Sequence, residues 1–303
     1  MSIDPHAVAT ATRPTPGRRI VDGVTVAIVR LRGALPWPVW AGVVLAATTL
    51  VARLPGLVFN GVFDRDEAFL TVMGDVLRHG GRLYVDVIDR KPPAVPVAYS
   101  LVRDVSVDMR AIRIVIAVLI ALNGAVVVAL VSRLSGSRRA ALFAGVLAIL
   151  GTAMFLPADA QAANFELWGL LPASFAILAV IIARTSPRAW AWFAVAGGAA
   201  VLAADCKQPY IVVLVPVVYE ALRRASDRTV RLGAVILGAL LAFVPFAARY
   251  DAMRMIRWVW TDNGDYLSGG VSVPRALLVG GGLTLVFLAF HLPLLYGAWA
   301  SVT

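Results

Sequence analysis

Residues 111–131, AIRIVIAVLIALNGAVVVALV, decide the fold class of this chain. A helix needs about twenty mostly apolar residues to cross the hydrocarbon core of a bilayer, and this run satisfies that requirement. We therefore expect an all-α polytopic membrane protein with about eight transmembrane helices. The segments 190–205 and 210–222 abut, so they form either two spans or one bent hairpin. The other candidate spans, several of them shorter, lie at 37–58, 140–157, 167–183, 190–205, 210–222, 232–249 and 276–298.

The overall composition agrees with this reading. Of the 303 residues, 60% are hydrophobic and 15% are charged, and the mean hydropathy is +0.80. These values lie outside the range of ordinary soluble domains. A transmembrane β-barrel would show many alternating segments of about ten residues, whereas the apolar runs here are continuous. Cys206 is the single cysteine, which excludes an intramolecular disulfide.

Basic residues are distributed unevenly between alternate loops. With the N-terminus inside, the segments 1–36, 132–139, 184–189 and 220–231 hold 14 of the 28 Lys and Arg residues but four of the 18 acids. The net charge of +10 therefore lies entirely on the inner side, as the positive-inside rule expects. We therefore interpret the basic clusters as determinants of topology, and we do not expect nucleic-acid binding.

This distribution predicts a multi-pass protein of the cell (plasma) membrane with a cytoplasmic N-terminus. Residues 1–36 are expected to form a partly disordered cytoplasmic tail, and residues 37–300 the transmembrane domain. The outer face receives the loops 59–110 and 250–275, and the potentially reactive side chains converge there. The Trp and Tyr residues of the second loop form either an interfacial belt or a contact for a sugar or a lipid carrier.

The first outer loop contains the most polar stretch of the chain, FDRDEAFLTVMGDVLRHGGRLYVDVIDRKPPAVP at residues 63–96. Apolar residues recur every three or four positions over 67–79, which predicts an amphipathic helix lying on the membrane surface. Two glycines, Gly80 and Gly81, end it. The apolar positions are Phe69, Val72, Met73, Val76 and Leu77.

Asp66 and Glu67 form a carboxylate pair near the start of this helix. The purely structural explanation is that Asp64 or Asp66 caps the helix, because a carboxylate is stabilised there by unpaired amides and by the helix dipole. Three acids within four residues exceed what a cap requires, which indicates a general base or a metal site. Three scattered histidines in the whole chain disfavour a His-rich metal centre.

A second polar cluster, YVDVIDRKPP, occupies residues 84–93. Its two prolines predict an extended and rigid backbone that holds the Lys91 ammonium at the membrane boundary. Lys91 is then either a ligand for an anionic group or a side chain that reaches toward lipid headgroups.

These residues resemble the membrane glycosyltransferases of the family 39 type, which include protein O-mannosyltransferases and lipid A aminoarabinose transferases. The resemblance covers about residues 37–215. Members of that family usually have more crossings, and many carry a soluble C-terminal domain. The chain looks short for the family, so it is expected to be a short or truncated member, or one whose catalytic unit needs a partner. The motifs are Asp66-Glu67, the run from Gly81 to Asp86 leading into Lys91-Pro92-Pro93, Glu166 after Asn164-Phe165, and Lys207-Gln208.

The resemblance implies a GT-C fold. It also implies an inverting glycosyltransferase that moves a sugar from a polyprenyl-phosphate-linked donor to a hydroxyl acceptor at the outer face. The acceptor is a protein, a lipid or a polysaccharide. By position, Asp66 would be the catalytic carboxylate with Glu67 beside it, and Lys91 would bind the donor phosphate with Arg90 or Lys207. A divalent metal ion is the one cofactor left open. The candidates for contact with substrate or metal are Tyr84, Asp86, Asp89 and Glu166.

The chemistry of such a transfer agrees with these residue types. Negative charge develops on the departing phosphate while the acceptor hydroxyl loses a proton, so the site needs both a cation and a carboxylate. The outer face has no supply of nucleotide sugars or ATP, which favours a donor tethered in the lipid.

A transporter or flippase of lipid-linked or small anionic substrates is the alternative. In it, Asp205, Lys207 and Glu220 would line a pathway through the membrane. Many transporters contain internal repeats with broken helices at matching positions, and the sequence shows no convincing repeat. A third reading is a non-catalytic scaffold whose polar loop serves as a docking surface.

Overall fold

The computed structural model describes residues 35–153, 160–223 and 226–262, together with isolated positions between Pro274 and Leu285. Over these ranges the chain consists of helices joined by short connections. The helices are α1 (Trp37–Val58), α2 (Arg65–Arg78), α3 (Ala94–Val105), α4 (Met109–Ser135), α5 (Arg138–Gly151), α6 (Phe165–Ala183), α7 (Ala189–Cys206), a 3₁₀ turn (Gln208–Val213), α8 (Leu214–Leu222), α9 (Arg228–Tyr250), α10 (Ala252–Ile256) and a π-helical turn (Arg257–Thr261).

Five helices, α1, α4, α6, α7 and α9, are long and apolar enough to cross a membrane. The predicted span at 140–157 coincides with α5, which is 14 residues long. The span predicted at 210–222 coincides with the shorter apolar stretch Gln208–Leu222. The span predicted at 276–298 lies outside the described residues apart from a few isolated positions, and residues 1–34 lie outside them entirely. The confirmed spans are those predicted at 37–58, 111–131, 167–183, 190–205 and 232–249.

Helices α7 and α9 pack with their backbones in direct contact. A Cβ added to Gly238 would collide with the carbonyl oxygen of Ala194, and one added to Gly197 would collide with that of Val235. Small residues allow transmembrane helices to approach this closely. Lys207 follows the last helical residue of α7.

The predicted amphipathic helix in the first outer loop is α2. Its start is capped by Asp64, whose Oδ1 accepts a hydrogen bond from the Glu67 amide at 2.8 Å. It ends before Gly80, which has a φ of +86°. The sequence placed Phe69 and Val72 on its apolar face, but these side chains are exposed, whereas Leu70 and Met73 are fully buried.

Helix α2 packs on α3, a helix that the sequence analysis did not predict. Gly74 allows the contact, because a Cβ there would lie 3.0 Å from the Cβ of Tyr99. The Arg103 guanidinium donates to both carboxylate oxygens of Asp75, at 2.8 and 2.7 Å. This hydrogen bonding lowers the pKa of Asp75. The two short helices therefore form one packed unit.

The prediction of an extended backbone at the two prolines is wrong for Pro93. Its φ of −79° and ψ of −20° are helical, and it is the N-cap of α3. Pro96 is accepted in the first turn because amides there have no partner within the helix. The prolines thus start a helix directly after Lys91.

A buried ion pair joins α2 to the membrane spans. Arg113 in α4 is 3% exposed and Glu67 in α2 is fully buried. The Arg113 Nε donates to Glu67 Oε1 at 3.0 Å, and its Nη2 donates to Oε2 at 2.7 Å. Such two-point pairing fixes both the distance and the relative orientation of the two groups.

The same two side chains also form hydrogen bonds with backbone groups around them. Arg113 also donates to the carbonyl oxygens of Gly56, Phe59 and Gly61 at the end of α1. Glu67 accepts from the amides of Phe63 at 2.8 Å and Ala163 at 3.1 Å. One buried pair therefore ties together α1, α2, α4 and the segment that precedes α6.

Replacing Glu67 with Gln is expected to destabilise the protein by about 3–5 kcal/mol, because it leaves the buried Arg113 charge without a counter-ion. The measurement is thermal unfolding of the purified protein in detergent. Asp104→Asn is the control, since Asp104 is exposed in its pair with Arg78 and exposed pairs contribute at most about 1 kcal/mol. Equal melting temperatures for the two variants would contradict this account.

Candidate active site

Asp66 and Lys91 meet within the segment that joins α1 to α4. Asp66 lies in the first turn of α2 with its side chain half exposed, and its Oδ2 is 3.3 Å from the Lys91 Nζ. The Lys91 ammonium also lies 4.5 Å from the centroid of the Phe165 ring. A carboxylate and a cation are thus adjacent and open to solvent.

The backbone that carries Lys91 is held from two sides. The Tyr84 hydroxyl donates to the Lys91 carbonyl oxygen at 2.9 Å. The Gln208 side-chain amide donates to the Arg90 carbonyl oxygen at 2.5 Å and to that of Val259 at 3.2 Å. These contacts hold the backbone at residues 90 and 91, whereas the Lys91 ammonium lies at the end of a flexible side chain.

A second lysine and a second carboxylate lie next to the first pair. Lys207, directly after α7, forms an ion pair with Glu166 in the first turn of α6. Burial and the nearby positive charge of Lys91 lower the pKa of Lys207, and the charge of Asp66 opposes this shift. The two pairs therefore belong to one electrostatic site.

Lys91 and Lys207 are the only lysines in the sequence, against 26 arginines. The buried pairs described above all use Arg, whose planar fork holds a carboxylate rigidly, whereas a lysine is a mobile point charge.

The other predicted site residues lie in different surroundings. Glu67 is adjacent to Asp66 in sequence, yet its carboxylate is enclosed by the Arg113 pair. Asp86 is exposed and its Oδ2 accepts from the backbone amide of Arg82 at 2.8 Å, which closes a local turn. Asp89 is half-buried, its Oδ1 accepts from the Arg90 amide at 2.7 Å, and burial raises its pKa.

The donor atoms present do not fit a divalent metal. Among the residues that the structure describes, no three His, Cys, Asp or Glu side chains are grouped so as to hold a metal ion. Asp66 and Glu166 each face a lysine ammonium, which supplies locally the positive charge that a metal would bring.

Two cavities are lined by residues that pair with the lysines or lie close to them in the sequence. A polar cavity of about 890 Å³ has Asp64, Asp66, Asn164 and Glu166 in its wall. An apolar groove of about 960 Å³ runs between α3, α4, α6, α7 and α9. Its lining includes Ala94 and Cys206, which lie three residues after Lys91 and one residue before Lys207.

Sequence reasoning missed two arginines that shape this region, Arg113 and Arg53. Arg53 in α1 is 3% exposed and donates to the carbonyl oxygen of Ala160 and to the hydroxyl of Thr152. Thr152 and Ala160 line the polar cavity. Both arginines lie inside predicted spans. A charged residue in such a position is by default a candidate for a functional or structural role.

Comparison with known proteins supports the resemblance seen in the sequence. The family described as dolichyl-phosphate-mannose-protein mannosyltransferase matches residues 90–250, more than half of the chain.

The chain belongs to this mannosyltransferase family. The matched region contains Lys91, Glu166 and Lys207, and it begins after Asp66. This membership supports the glycosyltransferase hypothesis rather than the transporter.

The fold of the chain is similar to that of a solved structure. It is an oligosaccharyltransferase from Archaeoglobus fulgidus, solved with an acceptor peptide containing the NVT sequon tethered through a disulfide bond. The TM-score is 0.54 at 12% sequence identity, over 86% of this chain and 38% of that one. The chain therefore spans well under half the length of that protein. None of the curated proteins compared with the chain matches it.

The chain is therefore a helical member of this mannosyltransferase family, and its fold is similar to that of the oligosaccharyltransferase. The helical architecture predicted from the sequence is confirmed.

The raised pKa of Asp89 predicts a pH dependence of stability. Between the ordinary aspartate pKa and the raised one, folded Asp89 keeps a proton that the unfolded chain has lost. The contribution of Asp89 to the stability of the fold is therefore fully present below the ordinary aspartate pKa, and it is lost as the pH rises through the raised pKa. Asp89→Asn stays neutral throughout, so its melting temperature relative to the wild type should increase from pH 4 to pH 8. A difference that does not change with pH would contradict this assignment.

Proposed function

We propose that the chain transfers a sugar from a polyprenyl-phosphate carrier to a hydroxyl acceptor, with inversion, at the outer face of the cell membrane. The observation that carries the proposal is the position of two ion pairs relative to two cavities. The carboxylates of the pairs, Asp66 and Glu166, line the polar cavity. Their partners Lys91 and Lys207 lie close in sequence to Ala94 and Cys206, which line the apolar groove.

The apolar groove supports a polyprenyl donor. Its walls are mainly Ala, Val, Leu and aromatic side chains, which suit an isoprenoid tail. A tail in the groove would bring its phosphate to the end marked by Ala94 and Cys206, beside Lys91 and Lys207. Hydrogen bonds from an ammonium to a phosphate are among the stronger ones in proteins.

We infer that the lysines exchange partners when the donor binds. Lys91 and Lys207 are paired with Asp66 and Glu166 in the structure. A phosphate that carries more negative charge than one carboxylate competes for both ammonium groups. Binding of the donor would therefore release the carboxylate of Asp66 at the moment when a base is needed.

In the proposed reaction, the acceptor oxygen attacks the anomeric carbon, and the bond from that carbon to the phosphate oxygen breaks. The proton of the acceptor hydroxyl goes to Asp66, and the departing phosphate keeps the bonding electrons, stabilised by the two lysines. A single displacement needs one base and inverts the anomeric centre. Glu67 positions Asp66 through its pair with Arg113 and does not itself take the proton.

The polar cavity supports a polar acceptor that carries a hydroxyl. Asp64, Asp66 and Glu166 in its wall offer acceptors for hydrogen bonds from such a group. Among protein, lipid and polysaccharide acceptors, we favour a protein and mannose as the transferred sugar. The family description names both, and the Archaeoglobus fulgidus enzyme was solved with an acceptor peptide.

The proposed orientation has the N-terminus in the cytoplasm. At the start of α1, the Arg138 guanidinium lies 5.9 Å from the centroid of the Trp37 ring. Near the other end of α1, Gly56 contacts Arg113 beside the candidate site. The basic residues expected inside and the reactive residues expected outside thus lie at opposite ends of the same span, which supports this topology.

Asp66→Asn is expected to lower the rate of transfer from a polyprenyl-phosphate sugar by about 100-fold or more, because general bases contribute at least that much. Lys91→Ala is expected to weaken donor binding by about tenfold or more, as for the loss of one charged hydrogen bond. Transfer is measured in membranes that contain matched amounts of each variant.

Asp104→Asn is the matched control for this test, since it removes an exposed acid of the same outer region that pairs with Arg78. It should transfer at the wild-type rate. Undiminished transfer by both Asp66→Asn and Lys91→Ala would end the proposal.

Leu119→Trp is expected to raise the KM for the polyprenyl donor by about tenfold, because Leu119 lines the groove and an indole there occupies space needed by the tail. Val118→Trp is the control, since Val118 is the preceding residue of α4, is exposed and does not line the groove. The KM values come from titration of the donor at fixed acceptor. An equal effect of the two substitutions would show that the tail lies elsewhere.

A further inference from the structure

A third cavity shares no lining residue with the polar cavity or the apolar groove. It measures about 230 Å³ and lies between the first outer loop and the end of α9. Its lining residues are Arg82, Leu83, Val85, Arg249, Tyr250, Asp251 and Arg254. Three arginines and one acid therefore surround a space large enough for a small anionic group.

The charges on its wall leave an excess of positive charge. Asp251 is engaged, since its Oδ1 accepts from the amides of Met253 and Arg254 and its Oδ2 is 3.4 Å from the Arg254 Nε. Arg82 lies 3.7 Å from Asp86. Within the described part of the chain, Arg249 has no carboxylate partner, and its guanidinium lies 5.9 Å from the centroid of the Tyr250 ring.

Two lining residues of this cavity, Leu83 and Tyr250, are buried hydrophobic side chains. Leu83 is 1% exposed and Tyr250 is 9% exposed. Both belong to a buried cluster with Met73, Met255 and Tyr84. An anion that lies against such side chains is less screened by water, so each contact with a guanidinium is stronger than at an open surface.

Backbone strain is found in both segments that form the cavity. Tyr84 and Asp251 are the two non-glycine residues with positive φ in the described ranges, at +64° and +61°. Such conformations cost about 1–3 kcal/mol each and persist where the surroundings enforce them. Tyr84 lies between the lining residues Leu83 and Val85, and its hydroxyl donates to the Lys91 carbonyl oxygen. The cavity is thus connected by one side chain to the backbone of Lys91.

We propose that this cavity binds a phosphate-type oxyanion, with Arg82, Arg249 and Arg254 as its ligands. Guanidinium groups match the geometry of phosphate oxygens and are the preferred cations for them. The anion is either the headgroup of an outer-leaflet phospholipid or a soluble phosphate. Binding holds the first outer loop against the end of α9 through Tyr84 and Tyr250.

The test uses the full chain in phosphatidylcholine nanodiscs, without a sugar donor, so that its outcome is separate from that of the transfer reaction. One arm measures binding of inorganic phosphate by equilibrium dialysis at low ionic strength. The other arm measures retention of phosphatidylglycerol by native mass spectrometry. Saturable binding in the first arm identifies a soluble phosphate, and selective retention in the second identifies a lipid headgroup.

Arg249→Gln is expected to weaken the binding at least tenfold, and Arg249→Lys is expected to restore part of it. Arg257→Gln is the matched control, because Arg257 is an exposed arginine of the neighbouring turn that pairs with Asp262 and does not line the cavity. It should change the binding less than twofold. Arg82→Gln serves as a second variant if Arg249→Gln does not fold.

A Lys91→Ala background separates this site from the proposed donor site. Binding that depends on Arg249 should persist in it. Absence of saturable binding in both arms, an equal effect of Arg249→Gln and Arg257→Gln, or loss of the binding with Lys91→Ala would overturn the proposal.

Discussion

The buried pair of Arg113 and Glu67 is the constraint on which the rest of the structure depends. Removing two charges from water is costly, and this cost is offset only because every polar atom of the pair has a partner. Arg113 reaches Glu67 and three carbonyl oxygens at the end of α1, and Glu67 also accepts two backbone amides. Since Glu67 follows Asp66 directly, the pair fixes the catalytic candidate relative to the membrane spans.

The chain separates rigid cations from mobile ones. Arginine holds the architecture, through Arg113 with Glu67 and Arg103 with Asp75. The two lysines of the sequence pair with Asp66 and Glu166, which line the polar cavity. A guanidinium fork keeps one geometry, whereas an ammonium on a four-carbon stem turns readily from a carboxylate to a phosphate. This division provides both a firm scaffold and a site whose charges are able to rearrange during a reaction.

Length and apolarity were sufficient to predict the main membrane spans, because a crossing helix has few other ways to satisfy its backbone. The meeting of Asp66 with Lys91 was also expected, from the polar stretch 63–96. Helix α3 was missed because Pro96 and a charged pair near its end interrupt the apolar pattern, and it is stabilised by burial of Val95 and Tyr99 against neighbouring helices. The role of Glu67 was unpredictable, since no local pattern tells which buried cation a carboxylate will meet across the fold.

The central claim is that the two lysines together receive a donor phosphate at the end of the apolar groove. Lysine-selective acetylation, quantified by mass spectrometry with and without a saturating polyprenyl phosphate, tests it directly because the sequence contains no other lysine. The terminal amine serves as the internal reference. The account predicts strong protection of both Lys91 and Lys207 by the bound lipid. Acetylation of both at an unchanged rate, under conditions where the lipid is shown to be bound, would contradict it.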